Sequence, residues 1–98
     1  MVGRKIIIKQ SAADSIAEIA WFIESMGLLR TANKFNDGVY DFISKLGDIR
    51  KSYPNCREPI RAALGYKSVK YKKYTIVFIE NENEIIVCEF ISSKLIYW

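Results

Sequence analysis

The sequence predicts an α+β fold of order β-α-α-β-β-β: an antiparallel helical hairpin packed on one face of a small, mostly antiparallel sheet. Three observations carry this. A β-branched apolar run, Ile6-Ile7-Ile8, opens the chain. Two stretches with apolar residues at helical spacing follow, joined across Gly27. The last third then changes period and places two strong strand segments around a polar turn. The 98 residues form one domain, 1–98, long enough to bury a core.

The first strand is read from Lys5 to Lys9, and its continuous run of isoleucines suggests burial on both faces. Ser11 is read as the helix N-cap, with Asp14 near the positive end of the helix dipole. Ile16, Ile19, Ala20, Ile23 and Met26 make one apolar stripe, widened by Trp21 and Phe22, which read first as core or helix–helix packing and second as a partner groove. Gly27 suits the position just past the helix end. A second helix starts at Leu28 or Leu29 and runs to Gly47, with Ala32, Phe35, Val39, Phe42, Ile43 and Leu46 on its apolar face. Gly38 inside it costs about 1 kcal/mol against alanine, for which close approach to the first helix is the available reason. So short a connection makes the two helices an antiparallel hairpin.

From Asp48 to Leu64 the periodicity fails, and Pro54 and Pro59 predict a loop without regular structure. Three strands follow, Tyr66 to Lys73, Tyr74 to Ile79 and Glu84 to Ile91, as an antiparallel meander with Glu80-Asn81-Glu82-Asn83 as a turn. Leu95 to Trp98 is an apolar tail. The helical hairpin covers one sheet face, since neither layer buries its apolar side alone. The other face is expected to be open, with the loop from Arg50 to Arg61 beneath the hairpin.

Half the residues are apolar and 27% are charged, an ordinary globular balance. No apolar run approaches the roughly 20 residues of a membrane span, and the N-terminal apolar run is too short for a signal peptide. A cytoplasmic protein with no membrane association is expected. There is no histidine, and Cys56 and Cys88 are the only cysteines, so zinc sites and histidine-based triads are excluded. Neither a metal nor a cofactor is expected. Cys88 reads as a buried small apolar residue, and Cys56 as a structural thiol whose basic neighbours would raise its reactivity.

Charge is concentrated. Between Arg50 and Lys73 lie eight basic residues and one acid, Glu58, for a net +7. Residues 1–49 are neutral and residues 74–98 carry −3. Four tyrosines, Tyr53, Tyr66, Tyr71 and Tyr74, lie in or beside the cluster. The stretch reads either as a surface for a polyanion, with rings to stack on unpaired bases, or as a solvated lysine-rich strand that keeps a sheet edge soluble. Glu80, Glu82 and Glu84 read most simply as a solvated turn, and alternatively as charges that keep nucleic acid off their end of the sheet.

An ordered set of segments carries a family resemblance: the strand before S-A-A-D (Ser11 to Asp14), A-x-K-F-x-D-x-V-Y-D-F-I-x-K-L (Ala32 to Leu46), C-R-E-P-I-R (Cys56 to Arg61), G-Y-K-S-V-K-Y-K-K-Y-T-I-V-F (Gly65 to Phe78) and E-I-I-V-C-E-F-I-S-S-K (Glu84 to Lys94). Together they resemble the RelE/ParE superfamily, toxins of type II toxin–antitoxin modules known also from plasmid stabilisation. The resemblance covers essentially the whole chain. It implies a growth-inhibiting toxin with a cognate acidic antitoxin as partner. RelE-like members cut ribosome-bound mRNA without a metal, which is the mode expected here; the alternative is that of ParE-like members, which poison DNA gyrase. A degenerate toxin, acting only as an antitoxin- or DNA-binding partner, is a third possibility.

On the RelE side, the resemblance implies a catalytic set of Lys67, Lys70, Lys94 and Tyr97. Lys67 and Lys70 match the family's second-strand lysines. Thr75 stands where a third-strand arginine belongs, and Leu95 where a second arginine belongs. Cleavage through the 2′-hydroxyl needs a base, cations on the phosphate and an acid for the leaving oxygen. Lysines crowded by lysines have depressed pKa values, which suits Lys67 or Lys70 as the base, with Lys94 or Arg61 as phosphate clamp and Tyr97 stacked on a base. Arg50, Lys51, Arg57, Arg61, Tyr71, Lys72 and Lys73 complete the expected nucleic-acid-binding surface.

Overall fold

The computed structural model describes residues 4–48, 53–56 and 59–95. Strand β1 (Lys5–Ile8) leads into helices α1 (Gln10–Ser25) and α2 (Leu29–Ser44), the second prolonged by a 3₁₀ turn over Lys45–Gly47. A short helix, α3 (Pro59–Ala63), precedes the meander of β2 (Tyr66–Tyr71), β3 (Tyr74–Glu80) and β4 (Glu84–Ser92), and a 3₁₀ turn spans Ser93–Leu95. The sheet order is β1-β4-β3-β2, with β1 parallel to β4 and the other pairs antiparallel. This is the predicted α+β layout. Among the described residues, no helix is long and apolar enough to cross a membrane.

The core lies between the helical hairpin and one sheet face. Ala12 and Ile16 of α1, Val39 and Ile43 of α2, and Leu46 meet Ile76 and Phe78 of β3 and Ile85, Val87 and Phe90 of β4. Burying each of the larger side chains stabilises the fold by about 1.5–3 kcal/mol. Val87 and Phe90 are an odd number of residues apart, yet both face the helices. A bulge makes this possible: Val77 pairs with Glu89 and Phe78 with Val87, so Cys88 is the extra residue and side-chain alternation resets. Cys88 is buried, as the sequence implied.

Four local expectations change. Ser11 is not the N-cap; Lys9 is, without a side-chain cap. The Ser11 hydroxyl instead donates to the carbonyl of bulge residue Cys88, at 3.1 Å, and ties α1 to β4. Gly38 makes room for β2 rather than for α1: a Cβ there would stand 2.5 Å from the Tyr71 hydroxyl. Pro59 does not forbid helix but starts α3, where its missing N–H costs nothing. The sheet face away from the hairpin is partly covered rather than open. Arg61 of α3 makes a two-pronged ion pair with Glu89 across that face, Nε at 3.0 Å and Nη2 at 3.2 Å. Val77, which pairs with Glu89, is fully buried.

Trp21 and Phe22 are not core residues: they are 70% and 60% exposed. The sheet ends at Tyr71, Tyr74 and Ser92, while α1 and α2 continue beyond it. Phe35 packs edge-on against Tyr74 and Phe90. Towards the hairpin tip, Met26, Leu28 and Leu29 are exposed as well.

Candidate functional site

In an antiparallel meander the two turns lie at opposite ends of the sheet. Here one end carries an acidic turn with paired cations and the other a cluster of exposed lysines. At the β2–β3 turn, Tyr71 pairs with Tyr74 around Lys72 and Lys73, and Lys72 takes a left-handed φ of 55°. Lys70, Lys72, Lys73 and Lys94 are all exposed there. The amide of Ser93 donates to the Lys73 carbonyl at 2.9 Å, which brings the stretch carrying Lys94 against the turn. Thr75 is 7% exposed, and its hydroxyl lies 2.9 Å from that of Ser93. Between this end of the sheet and α1 opens a groove of about 340 Å³. Ile19, Phe22 and Tyr74 supply its apolar lining, Lys73 and Lys94 its cations, and Glu18 and Ser92 the remainder.

At the β3–β4 turn, Asn81 accepts the amides of Asn83 and Glu84 at 3.1 and 2.8 Å, which shapes the turn. Two cations at this end, Arg4 and Lys67, are committed internally, while Lys5 is exposed. Arg4 Nη1 lies 2.8 Å from Glu80 Oε2. The opposite charges and short distance make this an ion pair, although its alignment falls outside hydrogen-bond geometry. Lys67 Nζ donates to the Tyr53 carbonyl at 3.0 Å and lies 4.0 Å from Glu80. Burial, helped by the charges of Asp48 and Glu80, raises the pKa of Tyr53. At the lysine end, burial alone raises that of Tyr74.

The expected catalytic residues are thereby divided. Lys67 pairs across from Phe78 and Lys70 from Thr75, so alternation sends their side chains to opposite faces of the sheet. Lys70 shares its face with Thr75, and Lys94 shares the groove with Lys73. Arg61 is held by Glu89. The Tyr71 ring packs on Phe42, with centroids 4.8 Å apart, and Tyr53 and Tyr74 pack on Phe78 and Phe90. Three of the four tyrosines are thus core rings rather than platforms for bases. Arg50, Lys51, Arg57, Tyr97 and Trp98 lie outside the described residues. Sequence reasoning put Phe22 first in the core and only second in a partner groove, and it missed the convergence of Lys73 with Lys94. The available signal was the basic turn followed, after β4, by a further lysine. Among the described residues, no group of three or more His, Cys, Asp or Glu side chains is placed to hold a metal.

No protein-family model matches the chain, and no curated protein matches it. Among solved structures, a chain from the chromosomal ParDE TA (toxin–antitoxin) system of P. aeruginosa is similar. The TM-score is 0.75 at 11% sequence identity, covering 94% of this chain and 98% of that one. The two chains share a fold. That agrees with the RelE/ParE-type layout expected from the sequence.

Proposed function

We propose that the chain is the growth-inhibiting toxin of a type II toxin–antitoxin module, and that it acts by binding DNA gyrase in the manner of ParE toxins rather than by cutting RNA. One observation supports the choice: among the described residues, the two second-strand lysines of the cleavage set do not converge. Metal-free cleavage needs base, cation and acid around one phosphate. Lys67 and Lys70 point to opposite faces, and Lys67 is engaged by the Tyr53 carbonyl and Glu80. Buried Thr75 occupies the place of the expected arginine. The similar ParDE chain supports the toxin reading by analogy of fold. A cognate antitoxin with acidic segments is the implied partner, and the site of action is the cytoplasm, where gyrase works.

Ribosome-dependent mRNA cleavage is the second reading. Its support is that Lys73 and Lys94 line one groove, with Lys70 and Lys72 exposed at the same end of the sheet. Two assays on the purified protein separate the readings. With gyrase and supercoiled DNA, the first reading expects cleavage complexes to accumulate; with translating ribosomes, primer extension should find uncut message. Cut message without gyrase complexes reverses the assignment, and a Lys73→Ala/Lys94→Ala double variant that no longer cuts would locate the activity. Growth unaffected by induction of folded protein removes both.

A further inference from the structure

We propose that the hairpin tip and the β2–β3 turn together seat the chain on an anionic lipid bilayer, the tip entering the interface and the lysines meeting the headgroups. Trp21, Phe22, Met26, Leu28 and Leu29 are between 46% and 70% exposed. From Ile19 to Leu29 the chain carries one charge, Glu24. So much exposed apolar surface in one place marks a contact with something outside the fold. Its position narrows the choice. Phe22 lines the groove with Lys73 and Lys94, so this level of α1 stands beside the lysine turn. Met26 is four residues further along, a rise of about 6 Å beyond that level. Interfacial segments lie about 5–10 Å deep in the boundary between headgroups and acyl chains. With the tip at that depth, Lys70, Lys72, Lys73 and Lys94, all exposed at this end of the sheet, come level with the lipid phosphates. A tryptophan at the edge of the apolar region is a side chain that such an interface favours.

The rest of the charge pattern fits the same orientation. The acidic turn after β3 lies at the other end of the sheet, beyond the seven residues of that strand, a span of roughly 23 Å. It points away from the lipid and sits well outside the screening length of about 8 Å at physiological salt. A second copy of the chain is a poorer occupant, since a two-fold contact at the tip would bring two lysine clusters towards each other. A nucleic-acid strand would answer the lysines and leave the apolar tip uncovered. Among the described residues no helix can span a bilayer, and a span is all that the run lengths of the sequence exclude. A surface contact needs only an apolar tip and a cationic rim. It is independent of the toxin reading and of the target chosen under it.

The test is flotation of the full chain with vesicles of phosphatidylcholine alone, or of phosphatidylcholine mixed with phosphatidylglycerol. Saturable binding to the mixed vesicles is expected, weakened by salt and nearly absent on phosphatidylcholine. Each lysine charge removed should weaken binding about fivefold, so Lys73→Gln with Lys94→Gln should weaken it roughly 25-fold. Trp21→Ser with Met26→Ser, at two exposed side chains, should weaken it roughly tenfold or more. Glu82→Lys, at the far end, should change it by less than about twofold. Circular dichroism and Tm would show the variants folded. In Trp98→Phe, Trp21 is the one tryptophan left, and its emission should shift to the blue as mixed vesicles are added. No shift, equal binding to both kinds of vesicle, or binding kept by the Trp21→Ser/Met26→Ser variant overturns the proposal. So does a Glu82→Lys gain as large as the lysine losses, which would mean attraction without orientation. A dimer in light scattering that the same tip variant dissolves, with vesicles left unbound, gives the tip to a second copy and overturns it too. Vesicles hold neither gyrase nor ribosomes, so failed toxin assays beside vesicle binding remove only the toxin reading.

Discussion

The two ends of the sheet use their charges differently. At the β3–β4 end, Arg4, Lys67 and Glu80 face one another with side chains 17%, 25% and 16% exposed. At the β2–β3 end, Lys70, Lys72, Lys73 and Lys94 are exposed, and the groove beside them holds a single carboxylate. The first arrangement serves the fold and the second leaves its charge for a partner. The basic stretch of the sequence does not mark this division, because Lys67 and Lys73 belong to the same run yet do opposite things.

The sharpest way to break the comparison is Glu80→Gln. It takes the Glu80 charge away from two mostly buried cations, Arg4 and Lys67. The expected cost is about 3 kcal/mol, the low end for a broken buried pair because all three side chains keep some exposure. Urea unfolding would measure it. Lys73→Ala with Lys94→Ala, at two exposed side chains, should leave the unfolding midpoint unchanged. A stability loss at the lysine end comparable to that at the acidic end would show that the two ends are not distinct.

A smaller effect is expected between the ends, where α3 rests on the back of the sheet. Arg61 and Glu89 are about one-third exposed, so their two-pronged pair stabilises by about 1 kcal/mol. Glu89→Gln should cost that amount and speed hydrogen exchange at the Leu64 amide, which closes the end of α3. Lys72→Gly should act in the opposite direction. It relieves a left-handed residue at φ 55° and raises stability by up to about 1 kcal/mol, read as a higher Tm.

What the sequence disclosed follows from what is local. The isoleucine run, the stripe from Ala32 to Leu46 and the two strong strand segments each carry their own period, and all appear in the fold. What it withheld depends on contacts far along the chain. The bulge at Cys88 is visible only once Val87 and Phe90 are found on the same face. Ser11 looks like a cap until the Cys88 carbonyl, 77 residues away, is set beside it. Gly38 has no local reason, since Tyr71 supplies it from another element. Phe22 reads as core because periodicity reports which face of a helix is apolar, and not where the sheet beneath it stops. Of the candidate site, the concentration of lysines was legible. The assignment of Lys67 to the fold and of Lys73 to the surface was not, because it turns on where Glu80 and Tyr53 come to rest.

The smallest effect is confined to high pH and compares two tyrosines, one at each end. Both hold their protons more tightly in the fold than the ordinary pKa of 10.0, Tyr53 through burial and then the charges of Asp48 and Glu80, Tyr74 through burial alone. A raised acid pKa means that the native state retains a proton which the unfolded chain gives up. Stability from this source is complete below pH 10 and falls as pH rises from there through each folded pKa. Tyr53→Phe and Tyr74→Phe should each reduce the alkaline loss measured by denaturant titration. Salt discriminates between them. It screens Asp48 and Glu80 and so shrinks the part of the loss that Tyr53→Phe removes, while burial does not screen and the Tyr74 part stays the same. Equal salt sensitivity at the two tyrosines would mean that the carboxylates at the β3–β4 end reach the whole sheet, and that its ends are not electrostatically separate.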